Sequence, residues 1–187
     1  MKIDRFVTRR LAPGLFLVAG LLAGGVLQAQ SEEAAPAIET STEMFDDWTV
    51  VCVEDTPRVC RMTQRLDIDN DQGGGRLLQV TLLKDAEGVV IAMELPFGLD
   101  LPAGVVLQFD ENDEIPLPFS TCYASGCQVI ARLAPEHLEE FRGGSTMRVG
   151  FRALGQERTL VTDVSLAGSR AALDSLPAPI PAEPADG

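Results

Sequence analysis

The chain has 187 residues, 45% hydrophobic and 23% charged, a mix that suits one globular domain and excludes a disordered or fibrous chain. Fifteen Lys and Arg stand against 28 Asp and Glu, a formal net charge of −13, which excludes nucleic acid as a partner. One His, one Tyr and one Trp leave few acid/base or stacking groups, so composition points to a binding or structural domain, not an enzyme.

Lys2, Arg5, Arg9 and Arg10 form a basic start, followed by an uncharged apolar run from Leu11 to Leu27 and then Gln28-Ala29. This is the pattern of a secretory signal peptide over residues 1–29. The run contains Pro13 and four glycines and is at the short limit for a bilayer span, so cleavage is expected, with no membrane span afterwards. No Cys follows it, unlike a lipoprotein signal. Removing 1–29 leaves 11 basic and 27 acidic residues, a net charge of −16, with Lys84 as the one lysine. Residues 30–44 lack periodicity and read as a disordered acidic spacer, and 177–187 read as a disordered Pro-rich tail.

Between them, residues 45–176 read as short strands separated by turns. Trp48 to Val53 and Val59 to Leu66 form a first hairpin, and Leu77 to Leu83 with Val89 to Leu95 a second. Val105 to Phe109, Ile115 to Phe119, Gln128 to Arg132, Thr146 to Phe151 and Arg158 to Leu166 follow. Pro135 opens a short helix through residue 142, and Ser169 is placed to cap a second one that Pro177 ends. About nine strands at this turn spacing predict an all-β fold, an antiparallel, jelly-roll-like β-sandwich with one or two short helices.

All four cysteines, Cys52, Cys60, Cys122 and Cys127, lie in the exported part, where an even count reads as disulfides. A hairpin loop at Asp55-Thr56-Pro57 sets Cys52 opposite Cys60, and a loop at Tyr123 to Gly126 sets Cys122 opposite Cys127. The pairings 52–60 and 122–127 are therefore expected. A zinc site would need a tighter spacing or more histidines than His137, and a redox pair would need Cys-x-x-Cys. No metal or other cofactor is expected.

Asp67, Asp69 and Asp71 approach a calcium loop, but Gln72 and Leu78 stand where such a loop needs Gly and Glu. Asp110 to Glu114 reads as a hairpin tip. His137, among Glu136, Glu139 and Glu140, reads as a surface helix residue with a pH sensor as the rival. The stretch Leu95 to Gly104 places Leu95, Phe97, Leu99 and Leu101 on a proline-stiffened connection, sealing the core or forming an adhesive patch. Those four are the candidate binding residues.

The domain resembles the invasion-associated locus B family of exported bacterial proteins. The resemblance rests on Trp48-Thr49-Val50-x-Cys52 with Cys60-Arg61-Met62-x-Gln64, and on Leu95-Pro96-x-Gly98-x-x-Leu101-Pro102-x-Gly104. Pro118-Phe119-x-x-Cys122 and Gly126-Cys127 complete it. The resemblance implies a small secreted or periplasmic all-β domain without an established catalytic residue. One departure is Ser169 after Gly168, where the family tends to carry Phe. The expected function is that of a non-enzymatic envelope protein binding another protein or a surface component. A carrier of a small ligand or glycan, or a chaperone-like factor, is the alternative. Replacing Phe97 and Leu99 with Ser is expected to weaken capture without unfolding.

Overall fold

Strands whose successive side chains turn to opposite faces build two antiparallel sheets whose apolar faces meet. A computed structural model describes residues 39–68 and 74–178. Residues 1–29, most of the expected spacer, residues 69–73 and those beyond residue 178 lie outside the described residues.

The larger sheet is built from β1 (Thr40–Phe45), β2 (Trp48–Val53), β3 (Val59–Ile68), β4 (Gly75–Asp85), β5 (Gly88–Leu95), β8 (Thr121–Tyr123) and β9 (Gly126–Arg132). The smaller one contains β6 (Val105–Phe109), β7 (Ile115–Leu117), β10 (Thr146–Arg152) and β11 (Thr159–Ser165). Their strand orders are β1-β2-β3-β4-β5-β9-β8 and β11-β10-β6-β7. The sandwich is all-β apart from two short helices, but the jelly-roll likeness does not extend to the strand order. Five consecutive strands pair as a meander, each separated from the next by no more than six residues of sequence.

One strand begins inside the stretch expected to be a spacer: residues 40–44 belong to β1, which pairs with β2 from Thr40↔Val53 to Phe45↔Trp48. Its side chains are mostly exposed, so it carries no alternation to betray it.

Inward-facing residues form one core. Trp48, Val50, Met62, Leu78, Val80, Leu82, Ile91, Met93 and Val129 from the larger sheet meet Val105, Leu107, Phe109, Met147, Val149, Phe151 and Val164 from the smaller. The end is closed by α1 (Pro135–Gly143) and α2 (Ser169–Ser175). Phe141 of α1 stands edge-on to Trp48 at 5.5 Å and to Phe109 at 6.3 Å between ring centres. Ser169 is the first helical residue of α2, not its cap. Gly168 takes the preceding position at φ +79°, and a side chain there would meet the Phe45 carbonyl oxygen at 2.1 Å. The buried Ser169 hydroxyl instead donates to the Phe141 carbonyl at 3.1 Å, tying α2 to α1.

Two side chains join the sheets by hydrogen bonds. Buried Gln64 on β3 accepts from the Ser165 N–H at 3.1 Å and donates to the Ser165 carbonyl at 3.0 Å, while Trp48 Nε1 donates to the same carbonyl at 3.1 Å. Each disulfide, by contrast, lies within one hairpin of the larger sheet. Cys52 sits opposite Cys60 and is bonded to it, and Cys122 is likewise bonded to Cys127 across a turn of only two residues, Ala124 and Ser125.

Candidate functional site

The segment after β5 leaves the sheet and must cross to β6 on the opposite sheet, so it has irregular backbone and no period to fix which side chains turn inward. Tertiary pairing with the connection after β10 decides it. Leu99 forms a bridge with Ala153, the Asp100 N–H donates to the Arg152 carbonyl at 2.9 Å, and the Leu154 N–H donates to the Gly98 carbonyl at 2.8 Å. Arg152 adds a two-pronged bond to the Asp100 carboxylate, at 2.8 and 2.9 Å. A one-turn 3-10 helix, Leu101–Ala103, then delivers the chain to β6.

This pinning splits the four candidate binding residues. Leu95 is 0% and Leu99 9% exposed, so both seal the core and neither presents a binding surface. Phe97 at 59% and Leu101 at 41% remain open to solvent. The Phe97/Leu99 double replacement would therefore damage packing as well as surface, so it does not isolate binding. Leu154, which the sequence reading overlooked, is 71% exposed on the backbone bonded to Gly98. A large apolar residue just before the turn glycine Gly155 was the available signal. Three apolar side chains thus stand on backbone held by two interstrand hydrogen bonds and an ion pair.

A second feature lies on the outer face of the smaller sheet. Gly150 on β10 pairs with Val106 on one side and Val161 on the other, and its missing side chain leaves a groove of about 280 Å³ that reaches Gln108, Glu114 and Arg148. Arg148 is engaged by Glu111 at 2.9 Å and by the Asp110 carbonyl at 3.0 Å.

The remaining candidates serve the fold. Asp110 accepts from the Ser145 N–H at 3.1 Å and the Thr146 N–H at 2.9 Å, fixing the start of β10. His137 Nδ1 lies 3.0 Å from Glu140 Oε2, with its ring stacked against Phe109. Asp67 pairs with Arg65 at 2.8 Å, and that bond lowers its pKa; the rest of the calcium-like loop is outside the described residues. Arg132 grips Asp85, holding its carboxyl down at about 2. Among the described residues no three His, Cys, Asp or Glu side chains converge as metal ligands, and no helix is long and apolar enough to cross a membrane.

Residues 48–177 match the family model described as invasion associated locus B (IalB) protein. Two invasion protein B homologs, from Brucella abortus strain 2308 and from Brucella abortus biovar 1 strain 9-941, are each 34% identical over 142 residues. That alignment spans 74% of this chain and 80% of each relative. The crystal structure of invasion associated protein B from Bartonella henselae superposes with a TM-score of 0.62 at 27% identity, covering 72% of this chain and 94% of that one. On its sequence and its fold alike, the chain belongs to the invasion-associated locus B family.

Proposed function

We propose that this chain is a non-enzymatic exported protein, periplasmic or secreted, that binds another protein or a cell-envelope component through the surface bearing Phe97, Leu101 and Leu154. The observation that carries the reading is the contrast between backbone and side chains there. The backbone is locked to the Arg152–Leu154 connection, while the apolar side chains are left in water. A surface already ordered before it meets its partner loses little entropy on binding.

Two further observations support this reading. Titratable groups that could serve catalysis are engaged elsewhere: His137 with Glu140 and Phe109, Arg76 with Glu94 at 2.6 Å. The relatives are named for invasion, which makes an envelope or host-surface component the fitting class of partner.

The test is in-cell crosslinking of the tagged chain in its native envelope, comparing the parent with a Phe97→Ser/Leu154→Ser variant. A discrete partner captured by the parent and lost by a variant of unchanged melting temperature is the expected result. Equal capture by both would remove this surface from the reading. A thermal-shift response to sugars or lipids, with no protein captured, would replace it with a carrier.

A further inference from the structure

Strand β11 is an edge without the devices that blunt the other edges. Strands β7 and β8 are three residues each, β7 contains Pro116, and α2 packs against β1. Strand β11 has seven residues, pairs with β10 alone, carries neither Pro nor Lys, and leaves Val161 61% exposed.

Its backbone directions follow from Gln64. Ser165 turns both its N–H and its C=O away from β10 onto the Gln64 amide, which stands where the peptide group of a further strand would stand. Directions alternate along an antiparallel strand, so Thr159, Val161 and Asp163 turn theirs the same way. Among the described residues these groups have no hydrogen-bond partner. The open stretch from Thr159 to Asp163 is about 14 Å long.

We infer that a second copy of this chain occupies this edge, the two β11 strands pairing antiparallel about a two-fold axis at Val161. In that register Thr159 faces Asp163 of the second copy, Val161 faces its own equivalent, and every free group of both strands is paired. Other registers fail on particular residues. An axis at Asp163 sets two carboxylates opposite each other and asks Val161 to pair with Ser165, whose groups Gln64 already holds. An axis at Thr159 sets Asp163 against Gly155, which lies in a turn at φ +75°.

The outer-face rows agree with the axis at Val161. Arg148 pairs in register with Asp163, and Arg152 with Thr159. Across the axis the row therefore reads Arg148, Asp163, then Thr159 and Arg152 of the second copy, so each carboxylate lies beside a cation of its own chain and a hydroxyl of the second copy, with no like charge facing it. The neighbouring row, Val106, Gly150 and Val161, continues into Val161, Gly150 and Val106 of the second copy as one apolar stripe. Such an isologous contact closes on itself and stops at two copies.

Sedimentation velocity on the disulfide-intact chain tests the inference. A monomer–dimer equilibrium is expected, weakened about tenfold to a hundredfold by Val161→Pro, which deletes one outward N–H per copy and is tolerated at an edge. Circular dichroism and melting temperature should match the parent. Cysteine mapping reads the register: Val161→Cys crosslinks to itself on oxidation, whereas Thr159→Cys and Asp163→Cys form no covalent dimer alone and crosslink to each other when mixed. A chain that remains monomeric up to its solubility limit, a dimer indifferent to Val161→Pro, or Thr159→Cys crosslinking to itself would each overturn the inference. So would a monomer that takes up an unrelated extended peptide at this edge.

Discussion

The two sheets are secured by different means. The larger one carries both disulfides and, on its strands, the ion pairs Arg76–Glu94 and Arg132–Asp85. The smaller one has no covalent tie. It is held by apolar packing, by ion pairs of Arg148 and Arg152 on β10, by Asp110 at the start of that strand, and by Gln64 and Trp48 at the end of β11. Yet the Gly150 groove and the free edge belong to the smaller sheet, and Leu154 follows directly on its strand β10. The molecule reinforces one sheet and keeps much of its presenting surface on the other, so the frame and the exposed groups answer to different interactions.

That division is open to direct challenge. Replacing Cys52 and Cys60 by Ala should cost about 2–5 kcal/mol in denaturant unfolding, because the pair closes a loop and also lies in the core. The exposed Cys122 side of the second pair makes its loss smaller, about 2 kcal/mol. In both variants hydrogen exchange should accelerate in the larger sheet before β10 responds. Earlier opening of β10 would break the comparison.

Gln64→Leu attacks the link between the sheets. It strips the Ser165 N–H of its partner while Trp48 still serves the carbonyl, so the expected loss is about 1–3 kcal/mol. Faster exchange at Ser165 should accompany it. Unchanged stability would mean that apolar packing alone holds the sheets together.

The smallest effect is electrostatic. Asp85 is held at about 2 by the Arg132 guanidinium, below the roughly 3.9 of an unfolded aspartate. Its contribution is full above the unfolded value and fades as pH falls through about 2. The pair is solvent-exposed, so the acid limb of the melting profile should be only slightly flattened in Asp85→Asn. An identical profile in both proteins would remove the pair from the larger sheet's reinforcement.

Sequence patterning revealed the parts of this fold that are periodic. Val89 to Leu95 is a short, mostly apolar, partly β-branched run between Gly88 and Pro96, so its strand is readable from the chain, while the structure decides that every second residue turns inward. The short hairpins around Cys52–Cys60 and Cys122–Cys127 made the disulfide partners readable too. The three-residue β8 is too short to show a period, and β1 presents polar residues on both faces. In Leu95 to Gly104 four apolar residues look alike in sequence, and only pairing with Arg152, Ala153 and Leu154 separates Leu95 and Leu99 from Phe97 and Leu101. Gln64 was visible within a motif, but its partner is 101 residues away and no local rule points there.

The sequence separations of the disulfides, eight and five residues, bear on how the chain acquires its covalent form. A chain emerging N-terminus first presents Cys52 and Cys60 together, long before Cys122 emerges. Each correct partner is the nearest thiol in sequence, whereas both wrong pairings must close loops of more than about sixty residues at a higher entropic cost. Native pairing is thus the fastest pairing, and a simple oxidant completes it without reshuffling.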